Sequence, residues 1–271
     1  MNRFTDKTVL ITGSSRGIGA ATATAFAAEG ARVAINYRSD ESGAIETQVA
    51  IVAAGGTANV FRADIGNADD VAALAEQVEA GLGPIDVLVN NAAVIDRAHF
   101  LDVDLAALDT CWTTNVRGVF QLSQLAARSM AARDGGAIVH VSSILARLAC
   151  PTRTAYISTK GAIESLTRSM SFDLAEHGIR VNAVAPGLIA TEALLTGMPD
   201  PELQNDIQRY IPERRFGRPE EITAAILFVA SPEASYVNGV IIGVDGGLSG
   251  IEAGPPRRRP LPTPVQKLRE A

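Results

Sequence analysis

Cysteine is scarce in this chain. Cys111 and Cys150 are the two it has, too few for a disulfide framework, and that points to a reducing compartment. Histidine is scarce as well. His99, His140 and His177 are scattered without metal-ligand spacing, so no metal site is expected and each reads as a structural or surface residue. No apolar run approaches the roughly 20 residues that a membrane span needs. Residues 1–7 are short and polar, with no secretory leader visible, and a cytoplasmic location is expected. Positive charge is not in excess: 24 Lys and Arg face 30 Asp and Glu, a formal charge of -6. That balance argues against nucleic acid as a partner. Lysine is the scarcer cation, present only as Lys7, Lys160 and Lys267.

What the chain does have is length and apolar residues. It has 271 residues, 47% of them hydrophobic, enough to bury a large core in one domain. Short apolar runs at 8–11, 32–37, 57–61, 85–89, 137–141, 179–184 and 239–244 read as buried strands. Helical patterns lie between them, at 20–28, 41–54, after Asp69-Asp70, 105–133, 154 to about 177, and 220–230. This alternation predicts an α/β fold over residues 1–250, a doubly wound, seven-stranded parallel sheet with helices on both faces. Residues 188–217 are the least regular, with Pro199, Pro201 and Pro212. They read as a substrate lid with short helices or as a plain surface excursion. Residues 251–271 turn basic and proline-rich and cannot form a core; a loosely draped tail or a docking segment is expected there.

Two stretches carry chemistry. The first, Thr12-Gly13-Ser14-Ser15-Arg16-Gly17-Ile18-Gly19, lies between a strand and a helix. Free backbone N–H groups and the helix dipole face an anion in such a turn, and glycines let it approach. The spacing Gly-x-x-x-Gly-x-Gly differs from the common dinucleotide fingerprint. The second strand ends in Asn36-Tyr37-Arg38-Ser39, where an NAD-binding fold would place an acidic residue for the ribose. No carboxylate stands there. Arg38 would pair with a 2′-phosphate, with Arg16 approaching from the other side, so NADP(H) is expected over NAD(H). Otherwise Arg38 is a solvated surface charge. Asp64, beside Ile65, would accept from an adenine amino group or cap the next turn. Asn90-Asn91-Ala92-Ala93 follows the fourth strand as a wall of polar and small residues.

The second stretch runs from Ser142 to Lys160. Tyr156 and Lys160 are four apart and share a helix face. Ser143 lies at a strand's carboxyl end, where open α/β sheets bind ligands. A hydroxyl, a phenol and an ammonium thus converge, the equipment for moving a proton on and off an oxygen. A permanently charged arginine would be a poor relay in place of Lys160. Asn115, inside 105–133, reads as a polar residue satisfied by its own turn or as a functional one.

Taken in order, these motifs resemble the short-chain dehydrogenase/reductase family, in its compact branch of ketoreductases and 3-oxoacyl-carrier-protein reductases. The likeness spans residues 7–248. The loop matches the family's Thr-Gly-x-x-x-Gly-x-Gly, and Asn90 to Ala93 its Asn-Asn-Ala-Gly, with Ala93 replacing the glycine. Arg215-x-Gly217-x-Pro219-Glu220-Glu221 and Asp245-Gly246-Gly247 match further signatures. The resemblance implies a Rossmann-type fold and a catalytic tetrad of Asn115, Ser143, Tyr156 and Lys160. It implies a cofactor held by Gly13, Ser15, Arg16, Gly17, Ile18, Gly19, Tyr37, Arg38, Ser39, Asp64, Ile65, Asn91, Ala92, Ala93, Tyr156, Lys160, Pro186, Gly187, Ile189 and Thr191.

The implied reaction is hydride transfer, with Tyr156 moving the proton and Ser143 orienting the substrate oxygen. Lys160 would hold the nicotinamide ribose and lower the Tyr156 pKa, and Asn115 would hold a water. Lowering a tyrosine from ~10 by two to three units takes roughly 3–4 kcal/mol. An ammonium ~4 Å away supplies about 4 kcal/mol at an effective dielectric of roughly 20. A ketone or 3-oxoacyl reductase is expected. The alternatives are a sugar or secondary-alcohol dehydrogenase running toward oxidation, and a non-catalytic dinucleotide sensor. Related enoyl reductases space the tyrosine and lysine more widely, and that chemistry is set aside. Dimers or tetramers paired through the long helices are expected.

Overall fold

Seven strands pair in parallel, in the order β3-β2-β1-β4-β5-β6-β7. In chain order the first half holds β1 (Thr8–Ile11), α1 (Gly17–Ala28), β2 (Arg32–Tyr37), α2 (Glu41–Ala53), β3 (Thr57–Arg62), α3 (Ala68–Leu82) and β4 (Ile85–Asn90). The second holds α4 (Leu105–Trp112), α5 (Val119–Ala131), β5 (Gly136–Val141), α6 (Thr154–Asp173), β6 (Ile179–Pro186), α7 (Glu192–Gly197), α8 (Pro201–Gln208), α9 (Pro219–Ala230) and β7 (Ile241–Val244). This computed structural model describes residues 2–250. Met1 and residues 251–271, with the proline- and arginine-rich tail expected there, lie outside the described residues.

The central strands β1, β4, β5 and β6 are mostly apolar because both faces are covered, while the edge strands β3 and β7 are partly exposed. Val9, Ile11, Val33, Ile35, Val139 and Val141 turn to one core beneath α1, α2 and α9. Leu10, Ala34, Leu88, Ile138 and Val181 turn to the other, beneath α3 and α5. The chain reverses its winding between β3 and β4, so a crevice opens at the carboxyl ends of β1 and β4, the usual ligand position.

Three boundaries differ from the sequence reading. The helix expected over 105–133 is broken by a π-helical turn, Thr113–Gly118, between α4 and α5. Gly118 packs so close to the Ile65 carbonyl that a Cβ would overlap it, and a widened turn of this kind is common near functional sites. The helix from Thr154 stops at Asp173 and tightens into a 3₁₀ turn, Ala175–His177, before Gly178 takes a left-handed φ of 68°. The last strand starts at Ile241, because Gly239 turns the chain with φ 74°. Residues 188–217 contain the short helices α7 and α8, as expected.

Candidate active site

Between β1 and α1 the chain turns through a loop that closes against the wall after β4. Gly13 adopts φ 62° and Gly17 φ 59°, values that favour glycine. A Cβ on Gly19 would overlap the Gly13 carbonyl and lie 2.7 Å from Asn91 Nδ2. Asn91 Nδ2 donates to the Thr12 and Gly13 carbonyls at 2.9 Å, and Thr12 Oγ1 accepts from Asn91 N and Ala92 N at 3.0 Å. Asn91 therefore holds the loop in shape. No side chain caps the N-terminus of α1, and its first N–H groups remain for an anion.

A cleft of about 390 Å³ opens over this turn. Gly13, Ser15 to Gly19, Tyr37 to Ser39, Asp64, Ile65, Asn91 to Ala93 and Thr191 all lie on its wall. The uncapped helix end, the crowded glycines and exposed Arg38 fit a nicotinamide dinucleotide. Pro186, Gly187 and Ile189 are not on that wall. Gly187 presses on Asp245, and buried Ile189 bridges to Gly217. Among the described residues, the non-glycine ones with left-handed backbone are Asp6, Thr152 and Arg214, so the Ala93 backbone is not in that region. Asp64 Oδ1 accepts from Gly66 N at 2.8 Å, serving its turn. Arg16 lines the cleft together with Arg38, and its exposed guanidinium lies 3.8 Å from Glu192 at the start of α7. The sequence reading also missed Asp40, a carboxylate on the cleft wall. Its Oδ1 caps α2 by accepting from Gly43 N at 3.1 Å, and that N–H lowers its pKa.

The proposed tetrad lies beyond the Val94 wall. Ser143 follows β5 in extended conformation, its Oγ accepting from Leu145 N at 3.1 Å. Ser142 turns its hydroxyl to the Lys160 carbonyl, at 3.5 Å. On α6, Lys160 is buried; its Nζ donates to the Val141 carbonyl at 2.6 Å and lies 5.5 Å from the centroid of the Tyr156 ring. Burial pushes the ammonium down to about 8. Burial also pushes the Tyr156 phenol up, and the Ser143 hydroxyl and the Arg153 charge offset only part of that. The expected lowering of Tyr156 by Lys160 is therefore not found. Desolvation penalises phenolate and ammonium alike, and Lys160 is engaged by a carbonyl.

Asn115 also departs from expectation. Its Oδ1 accepts from Val94 N at 2.8 Å, and its Nδ2 donates to the Val94 carbonyl at 2.8 Å and to Thr159 Oγ1 at 3.1 Å. Both amide hydrogens are spent, so the side chain has none for a water. It clamps the cleft wall to the helix of Tyr156 instead. Asp96 was missed entirely. α6 has no side-chain cap of its own. The buried Asp96 carboxylate supplies one, accepting from Tyr156 N at 2.8 Å and Ala155 N at 3.2 Å, while Arg153 Nη1 donates to the Asp96 carbonyl at 3.0 Å. A cap that reaches across 60 positions leaves no trace in local spacing.

A family profile described as Enoyl-(Acyl carrier protein) reductase matches residues 13–249. A 3-oxoacyl-[acyl-carrier-protein] reductase of Synechocystis sp. is 35% identical over 249 residues, 92% of this chain and 99% of its own. A solved 7α-hydroxysteroid dehydrogenase, complexed with NADH and 7-oxo glycochenodeoxycholic acid, superposes with a TM-score of 0.87 at 38% identity, covering 91% of this chain and 95% of its own. A structure from Beutenbergia cavernae, assigned as an NAD(P)-dependent gluconate 5-dehydrogenase and carrying NADP, gives 0.87 at 34% identity over 92% of this chain and 99% of its own. With these likenesses added to the sheet order, the glycine loop and the Ser143–Tyr156–Lys160 cluster, the chain belongs to the short-chain dehydrogenase/reductase family, oxidoreductases of CH–OH and C=O groups.

Proposed function

We propose that this protein is an NADP(H)-dependent reductase of ketones or 3-oxoacyl compounds. One observation carries the reading: Tyr156, with its pKa raised by burial, stands beside the Ser143 hydroxyl and above the buried Lys160. When bound, the nicotinamide cofactor supplies the hydride. The N-terminal N–H groups of α1 bind its pyrophosphate, and Arg38 takes the 2′-phosphate at the rim. Asp40, on the same wall, keeps its negative charge with its carboxylate hydrogen-bonded to Gly43 N, and Arg38 has to outweigh it.

Ser143 Oγ keeps its own hydrogen, since its lone pair serves Leu145 N, and donates that hydrogen to the substrate oxygen. Tyr156 passes its phenolic proton to the same oxygen as negative charge grows there. A tyrosine holds that proton at neutral pH and so starts in the form that reduction requires. Lys160, held near 8, exchanges protons close to neutral pH and restores the one lost from Tyr156. Any water feeding Lys160 at Asn115 is held by main chain, because the amide is used. Residues 188–217 close over the substrate with Leu194, Leu195 and Met198. Exposed Trp112 and Phe120, on α4 and α5, support pairing of subunits through these helices. Cys111 and Cys150 are unpaired, in keeping with a cytoplasmic setting.

Tyr156→Phe tests the proton role. It should leave NADPH affinity within about threefold and remove turnover by 10²-fold or more, the scale of general acid catalysis. Turnover retained in the variant would overturn the assignment.

A further inference from the structure

The sheet face beneath α5 and α6 carries polar groups that the proposed reaction does not use. His140 on β5 is fully enclosed, and neither ring nitrogen has a partner among the described residues. Asn90 pairs with it in register on β4, and Asn90 Oδ1 also lacks a partner among the described residues. Asn90 Nδ2 donates to Ser123 Oγ on α5 at 3.0 Å. Val139 and Val141 turn to the opposite core, so His140 shares this face with Ile138. Leaving such groups unpaired is costly, and native proteins satisfy them with internal water when no side chain serves.

We propose that His140, Asn90 and Ser123 hold an internal water behind Lys160, and that His140 is a positioning residue that sets the proton affinity of Lys160. The chemistry of the three groups matches one water. A neutral imidazole offers one donor and one acceptor, the amide oxygen an acceptor, and the serine hydroxyl both. Lys160 has three N–H donors and makes one hydrogen bond among the described residues, to the carbonyl of Val141, the residue after His140. Its charge acts on His140, whose ring burial already keeps neutral, down to about 3. A neutral ring and its water thus give the ammonium acceptors in place of a like charge.

The groups facing His140 are few. From α6 comes Lys160, with Glu164 one turn further on, paired to Arg147 through Oε2 while its Oε1 has no partner among the described residues. From β4, α5 and β6 come only neutral residues, Asn90, Ser123 and Ala183. Lys160 is therefore the charge that responds to His140. Removing the acceptor should lower its pKa below about 8.

The inference rests on the proposed role of Lys160, but its test needs no turnover. With three lysines in the chain, lysine-selective carbon-13 NMR follows the Lys160 titration directly in the full-length protein. His140→Leu should lower the titration midpoint by about half to one pH unit, the worth of one net hydrogen bond. His140→Gln, which keeps an acceptor and a donor, should stay near the wild-type value. An unchanged or raised midpoint in His140→Leu would overturn the proposal. If that variant fails to fold, water-to-imidazole cross-relaxation in the wild type decides: a long-lived water beside the His140 ring supports the site, and none refutes it. Silence of the enzyme toward carbonyl compounds would count against reductase function while leaving this titration readable.

Discussion

Acid should cost this protein stability through one histidine. Burial holds His140 near 3 in the folded chain, against an ordinary value of 6.5. Between those values the unfolded chain binds one more proton than the folded one. Stability from this group therefore rises with pH across the window and falls on acidification. Going from about pH 7.5 to about pH 5 moves roughly 1.5 units below the unfolded value, and at 1.36 kcal/mol per unit the loss is about 2 kcal/mol. Other shifted groups stay silent in that interval. Lys160, lowered from 10.5 to about 8, adds stability only as pH rises above about 8. Glu221, held at about 2 by the Arg215 guanidinium, loses its contribution only below its unfolded value of 4.5. Urea unfolding at both pH values, for wild type and His140→Leu, gives the difference. The wild type should lose about 2 kcal/mol more than the variant. Equal losses would show that His140 is not held neutral, and the reasoning from its burial would fail.

The other predictions concern binding and geometry. Arg38→Asp should weaken NADPH by roughly ten- to a hundredfold, the worth of a charge-assisted hydrogen bond, and raise relative affinity for NADH; fluorescence titration with both cofactors reads it. Gly19→Ala should abolish cofactor binding while circular dichroism stays native, because the Cβ meets the Gly13 carbonyl inside the loop. Asp96→Ala should cost about 1 kcal/mol of stability, as for a lost helix cap, and lower kcat with NADPH affinity unchanged. Asp96→Asn should recover most of the stability in urea unfolding.

The central strands were readable because β1, β4, β5 and β6 are buried on both faces, which leaves near-continuous apolar runs between turn residues, while the edge strands β3 and β7 are only partly covered. The glycine loop was readable because its demands are local: left-handed φ at Gly13 and Gly17, and no room at Gly19. Tyr156 and Lys160 were readable because one helical turn joins them. What escaped depends on contacts between distant segments. The π-helical turn at Asn115 answers to Ile65, the cap on α6 comes from Asp96, and Arg16 turns to Glu192. The direction of the Tyr156 shift escaped for another reason. A Coulomb estimate took the ammonium to lie ~4 Å from the phenol, whereas its nitrogen binds the Val141 carbonyl and burial raises the phenol.

The most direct test of the central claim is the consumption of NADPH and of NADH, followed by absorbance, against ketones, 3-oxoacyl thioesters and quinones. The account predicts turnover of a carbonyl compound with NADPH at least tenfold more efficient than with NADH. Turnover confined to alcohol oxidation, or faster with NADH, would contradict it.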